Sequence, residues 1–265
     1  ERARHRSGPP TMKRILGYGL LGVLTFVLSL LLLAPAALVT DRIAEHLPGF
    51  SVQTVEGLAT EGSARGIQWR GVRIDRLNWN WRASALWTGW LEFQLDADDP
   101  ELRLRGKAAV NPSQRLRLRD ASGRLPLARL HTLAGQPKLP LQGVVEFNLR
   151  ELLLNHAAGW PQTADGVIRL LDMRLTLDRP LNLGDFKVQL TPASPEGVQG
   201  AVQDQGGPLA LEGALRLLPD GRYRFTGWAT VRDDGDPALR QALSLLGPPG
   251  DDGRWALNLS GALLR

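Results

Sequence analysis

Leucine and arginine alternate twice in this chain, at Glu101-Leu-Arg-Leu-Arg105 and at Arg115-Leu-Arg-Leu-Arg119. Successive side chains of a β-strand leave opposite faces of the sheet, so each run puts Leu102, Leu104, Leu116 and Leu118 on one face and the arginines on the other. The same period of two returns at Val145, Phe147 and Leu149, at Leu171, Met173, Leu175 and Leu177, at Tyr223 and Phe225, and at Trp255, Leu257 and Leu259. One apolar face and one wet face characterise antiparallel sheets, whereas parallel sheets are buried on both sides. The expected fold is therefore mainly β: an elongated, twisted, mostly antiparallel sheet with one or two short helices.

Punctuation between the runs supports this. Asp-Gly pairs at 165–166, 220–221 and 252–253 predict tight hairpin turns, because that pair tolerates positive φ. One helix is expected to start at Asp236 as N-cap, with Pro237 at its first position and Leu239, Leu243 and Leu246 along one face, and to stop at Gly247-Pro248. A shorter one is expected from Pro126 to about Leu133, ended by Gly135. The proline-rich stretch Gln136-Pro-Lys-Leu-Pro140 marks the expected seam, near 135–140, within a β-rich domain of residues 40–265.

The start of the chain is of another kind. From Ile15 to Val39 no residue is charged, and these 25 residues suffice, at 1.5 Å each in a helix, to cross a hydrocarbon core of about 30 Å. Residues 15–39 are thus expected to form a transmembrane helix. The motif Ala34-Pro35-Ala36 resembles a signal-peptide cleavage site, but the uninterrupted apolar stretch Ile15–Leu33 is longer than a signal core, so an uncleaved anchor is expected. Arg2, Arg4, Arg6, Lys13 and Arg14 precede it, which places residues 1–14 in the cytoplasm and the body outside. Met12-Lys13-Arg14 fits an ordinary start, with residues 1–11 an upstream extension.

The net charge of +5 comes from that start. The first 14 residues hold five of the 32 basic groups and one of the 27 acidic ones, which leaves 27 against 26 in the remainder. A near-neutral body argues against nucleic acid as a partner. With no cysteine there is no disulfide, thiolate or zinc-thiolate chemistry. His5, His46, His131 and His156 form no metal-binding pair, and no nucleophile elbow or P-loop is present. Gly17-Tyr-Gly-Leu-Leu-Gly22 has the letters of a dinucleotide fingerprint, but it lies within the apolar segment, where small residues serve helix packing. Adjacent acids at Asp98-Asp99, Asp233-Asp234 and Asp251-Asp252 fit solvated loops. No catalytic residue, metal or cofactor is expected, and an enzyme is not.

Two sets of residues are candidates for binding. Trp69, Trp79, Trp81, Trp87 and Trp90 are five of eight tryptophans within 22 residues. They fit a sheet core with a polar handle on each indole, or a docking surface close to the membrane, where tryptophan concentrates. Leu102, Leu104, Leu116, Leu118, Phe147 and Leu149 line one face, which is either a filled core or an open groove for lipid. The arginine-rich faces are wet surfaces or sites for anionic groups.

Particular segments resemble the type II secretion system protein N family, also called general secretion pathway protein N. They are Gly57-Leu-Ala-Thr-Glu-Gly-Ser-Ala-Arg-Gly66, Trp69-Arg-Gly71, Leu77-Asn-Trp79, the turn from Leu86 to Leu91, Asp220-Gly-Arg-Tyr-Arg-Phe-Thr-Gly227, Asp236-Pro-Ala-Leu-Arg-Gln-Ala-Leu-Ser-Leu-Leu-Gly247 and Asp252-Gly-Arg-Trp255. The resemblance implies an accessory inner-membrane component of a Gram-negative bacterium, with a periplasmic body and no enzymatic activity. Its implied partners are other subunits of the system, on the inner-membrane platform or in the periplasmic bridge to the secretin. The family in turn resembles AsmA-like proteins, which makes a lipid or other hydrophobic ligand along the sheet the alternative.

Overall fold

The computed structural model describes residues 33–69, 71–134, 140–155, 160–176, 180–193, 197–232, 237–245 and 247–262. Thirteen strands form one sheet in simple chain order. They are β1 (Thr54–Gly57), β2 (Glu61–Trp69), β3 (Val72–Trp81), β4 (Leu91–Asp98), β5 (Arg103–Val110), β6 (Arg115–Pro126), β7 (Leu141–Asn155), β8 (Trp160–Thr176), β9 (Pro180–Ala193), β10 (Gly197–Asp204), β11 (Leu209–Leu217), β12 (Arg222–Val231) and β13 (Trp255–Ala262). Each pairs antiparallel with the next. The expected fold class thus holds for the sheet.

Register turns the period of two into two chemically distinct faces. One cross-strand row reads Leu77, Ala97, Leu104, Gly123, Phe147, Ile168, Val188, Val202, Gly213, Gly227 and Leu257. The adjoining row on the opposite face reads Arg76, Asp98, Arg103, Arg124, Glu146, Arg169, Lys187, Gln203 and Glu212. Glycine in the apolar row makes room for its large neighbours. A Cβ on Gly123 would sit 2.5 Å from Leu104 Cδ2 and 2.8 Å from Phe147 Cζ.

The sheet buries apolar side chains partly by curling on itself. Cα atoms of β8 and β10 approach within 8 Å although β9 lies between them, closer than the roughly 10 Å of two flat strand spacings. There Ala164, Leu190 and Val198 are buried in a cluster supplied by strands alone. A second cluster is sealed by two helices, α2 (Leu127–Ala134) and α3 (Pro237–Ser244), through Leu127, Leu239 and Leu243. Arg129 pins α2 in place, donating to Arg73 O at 3.1 Å and pairing with Asp99 at 3.3 Å and Glu101 at 2.8 Å. Both helices lie close to their expected bounds. The cap Asp236, the face residue Leu246 and the seam segment 135–139 fall outside the described residues.

Two expectations need correction. Asp165-Gly166 is not a hairpin turn but lies inside β8, where Gly166 (φ 151°) faces Leu149 at a β-bulge and Asp165 pairs with Arg150 at 2.7 Å. Strand length overrode the turn signal. Asp220-Gly221 does turn β11 into β12, and Asp252-Gly253 turns the chain into β13. Secondly, Leu171 does not share a face with Met173. A bulge at Asp172 (φ 52°) shifts the register, so Leu170 and Met173 join the apolar cluster instead.

A third helix, α1 (Ala36–His46), and a 3-10 turn (Ala83–Thr88) were not expected. Residues 1–32, which hold the expected cytoplasmic start and most of the expected membrane segment, are outside the described residues. Its last part departs from one continuous helix: Pro35 bridges to Leu58, and α1 starts only at Ala36. Among the described residues no helix is long and apolar enough to cross a membrane.

Asp204 closes the β10–β11 turn, accepting from the amides of Gly206 (3.0 Å) and Leu211 (3.2 Å) and pairing with Arg232 at 2.6 Å. Burial pushes its carboxyl up, but Arg232 and the two amides outweigh burial and hold it below the ordinary value. A carboxyl depressed in the folded state stabilises the fold fully above its unfolded pKa of about 3.9 and loses that contribution as pH falls through the folded value. Thermal unfolding between about pH 5 and pH 2 is expected to show a smaller acid-induced drop for Asp204→Asn than for the unsubstituted chain.

Candidate interaction surfaces

The five clustered tryptophans do not form one site. Trp69 pairs with Val72 at one end of the β2–β3 hairpin, while Trp79 and Trp81 lie at the other end, where Glu61 pairs with Asn80. At about 3.3 Å per residue the two ends are roughly 25 Å apart. Trp79 and Trp81 share the apolar face, opposite Leu95 and Phe93, with Asn78 and Asn80 on the polar face. The Trp79 ring covers Gly62, and its Nε1 donates to Leu58 O at 3.1 Å. Trp81 is half-buried, and its Nε1 is buried without a partner among the described residues. Trp90 lies under the Arg117 guanidinium, 4.0 Å from ring centroid to Cζ. Only Trp87 is held outward, 93% exposed.

Beside Trp90, the polar face holds a buried acid. Glu92 is 3% exposed, bonded to Arg119 and 3.8 Å from Arg82. Alternation alone places Glu92 among wet residues. Two arginines, Arg82 and Arg119, converge on it there.

The six apolar candidates all lie on the apolar side. Leu102 and Leu149 are buried, whereas Leu104, Leu116, Leu118 and Phe147 are half-buried. A cavity of about 1080 Å³ opens on the opposite face, over β3 to β9. Arg76, Arg103, Arg105, Arg124, Arg150 and Arg169 surround it, with Asp96, Asp98 and Glu146 as the carboxylates. Four of these arginines are paired: Arg105 with Asp96 at 2.8 Å, Arg124 with Glu146 at 2.9 Å, Arg150 with Asp165 at 2.7 Å and Arg103 with Asp98 at 3.7 Å. Arg76 and Arg169 have no carboxylate partner among the described residues. The sequence signal for this surface was the arginine alternation, but the near-neutral total concealed it. Only register shows that basic residues from separate strands outnumber the acids in one row, from Arg76 to Lys187.

No group of three or more metal-ligating side chains is placed to hold an ion among the described residues. The described surfaces offer contact area and charge. Residues 48–258 match the family described as Type II secretion system (T2SS), protein N. The chain belongs to the type II secretion system protein N family. Two curated relatives bear out the match along the chain's length. The Type II secretion system protein N of Vibrio cholerae serotype O1 is 29% identical over 264 residues, covering 95% of this chain and all of the relative. That of Klebsiella pneumoniae is 30% identical, covering 92% of this chain and 94% of the relative. No solved structure matches the chain. The family match runs from before β1 into β13 and takes in both apolar clusters, so the two-faced sheet is the part of the chain that the family shares.

Proposed function

We propose that the chain is an accessory inner-membrane component of the type II secretion system, held by its N-terminal apolar segment with the sheet in the periplasm, and that it acts by binding other subunits. The family match over residues 48–258 carries this reading. The anchor and its orientation rest on the uncharged run Ile15–Val39 and the basic residues before it. The cation-rich face over β3 to β9 supports binding through charge, since unpaired guanidiniums steer and select acidic partner surfaces.

Capture from mildly solubilised membranes of an organism carrying the system tests it. The unsubstituted chain is expected to recover secretion subunits, and Arg76→Glu with Arg169→Glu to lower recovery about tenfold, the equivalent of some 1.4 kcal/mol. Undiminished capture by the double variant would remove this face from the interaction. Unchanged assembly and export after deletion would defeat the reading as a whole.

A second reading, handling of lipid along the apolar side, draws on the half-buried row of Leu104, Leu116, Leu118 and Phe147. Recovery of stoichiometric lipid with no secretion subunit in the same capture would favour it.

A further inference from the structure

We propose that the 3-10 turn Ala83–Thr88 seats in the lipid headgroup layer, with Trp87 and Leu86 as its membrane-facing residues; this rests on the anchor reading above. Trp87 is the outlier among the described tryptophans. Trp79, Trp90 and Trp255 each have a specific partner, in Leu58 O, Arg117 and Gly247 O respectively. Trp87 is 93% exposed, and next to it Leu86 is 47% exposed.

The turn is firmly built. Thr88 Oγ1 donates to Ala85 O at 2.8 Å, Gly89 N to Leu86 O at 2.9 Å and Trp90 N to Ala85 O at 3.2 Å. Gly89, at φ 75°, takes the left-handed conformation that closes it, and Ala85 is buried beneath. Exposing a tryptophan on so ordered a turn leaves roughly 200 Å² of apolar ring without cover in water.

Its position names the occupant. Pro35 bridges to Leu58, Ala59 N donates to Ala34 O at 2.8 Å, and Trp81 N donates to Thr60 O at 2.6 Å. The chain leaving the apolar segment therefore enters at the strand ends from which the turn projects. From β1 to β3 is two strand spacings, about 10 Å. Leu33, the last residue of the uninterrupted apolar stretch, is also exposed there. A membrane holding that stretch lies alongside the turn, and tryptophan favours the bilayer interface. Farther across the same end of the sheet the described turns Asn111-Pro-Ser-Gln114 and Pro219-Asp220-Gly221 are polar. Among the described turns at this end, apolar exposure is greatest in Ala83–Thr88, beside the turn at which the chain enters.

The chain lacks cysteine, so single reporters are unambiguous. The full chain carrying Leu86→Cys, labelled with an environment-sensitive fluorophore, is reconstituted in vesicles of phosphatidylethanolamine and phosphatidylglycerol doped with nitroxide lipid. Asp220→Cys serves as the distant control. At least twofold (roughly) stronger quenching at position 86 than at position 220 is expected, and Trp87→Glu in the Leu86→Cys background is expected to abolish the difference. Equal quenching at both positions in chains that float with the vesicles overturns the seating of the turn alone, and makes Trp87 a contact for a protein partner. Failure of the chain to float overturns the anchor reading and this proposal with it.

Discussion

Truncating Leu102 to alanine is expected to destabilise the fold by about 2–5 kcal/mol, toward the upper part of that range. Leu102 is 1% exposed and packs in the cluster with Leu125, Leu127 and Val145. It sits at the β4–β5 turn, where Leu102 N donates to Asp99 O at 3.2 Å and Asp99 N to Leu102 O at 3.0 Å. Asp99 is in turn fixed by Arg129 of α2. A turn clamped in this way cannot collapse into the space left by three carbon atoms, so the cavity persists. Leu104, two residues on and half-buried, loses less area, and its truncation is expected to cost about 1–2 kcal/mol. At about 2–4 °C per kcal/mol for a domain of this size, thermal unfolding of the detergent-solubilised chain should fall by on the order of 10 °C for Leu102→Ala. Equal shifts for the two variants would show that the turn relaxes.

Replacing Arg119 by leucine is expected to cost about 3–5 kcal/mol, although the residue lies on the polar face. Its loss leaves the Glu92 carboxylate, 4% exposed, with Arg82 at 3.8 Å as its remaining cation. An uncompensated buried charge is far costlier than a missing surface pair. Adding Glu92→Leu to Arg119→Leu is expected to restore most of the loss, because the pair together adds little over an apolar replacement of similar volume. Arg103→Leu breaks the exposed 3.7 Å pair with Asp98 and is expected to change stability by less than about 0.5 kcal/mol. Unfolding midpoints of the three variants test the ordering. A double variant no more stable than Arg119→Leu would mean that the arginine acts through packing, not charge.

These expectations depend on how period-two alternation is read. Where strands are regular, alternation places side chains correctly: Leu104, Phe147 and Leu257 all face the apolar side, as the alternation within each strand requires. Where a bulge intervenes it misplaces them. Asp172 adopts positive φ without being glycine, so nothing local marks the shift that exchanges Leu171 for Leu170. Asp165-Gly166 fails for the converse reason: the pair tolerates a tight turn, but tertiary pairing along β7 and β9 continues the strand through it.

The tryptophans divide in the same way. That Trp79 and Trp81 share a face follows from their spacing. That Trp69 lies at the far end of the hairpin, and that Trp87 alone points outward, depends on pairing and on the 3-10 turn.

By itself, then, the sequence determined the antiparallel class, the two-faced sheet, both sealing helices and the family, because each is written in local spacing or in contiguous motifs. Only the tertiary structure decided the order of thirteen strands, the row that brings Arg76 and Arg169 to one cavity, the burial of Glu92 and the nearness of Trp87 to the chain's point of entry. Those features join residues far apart in sequence, and no local preference encodes the register that brings them together.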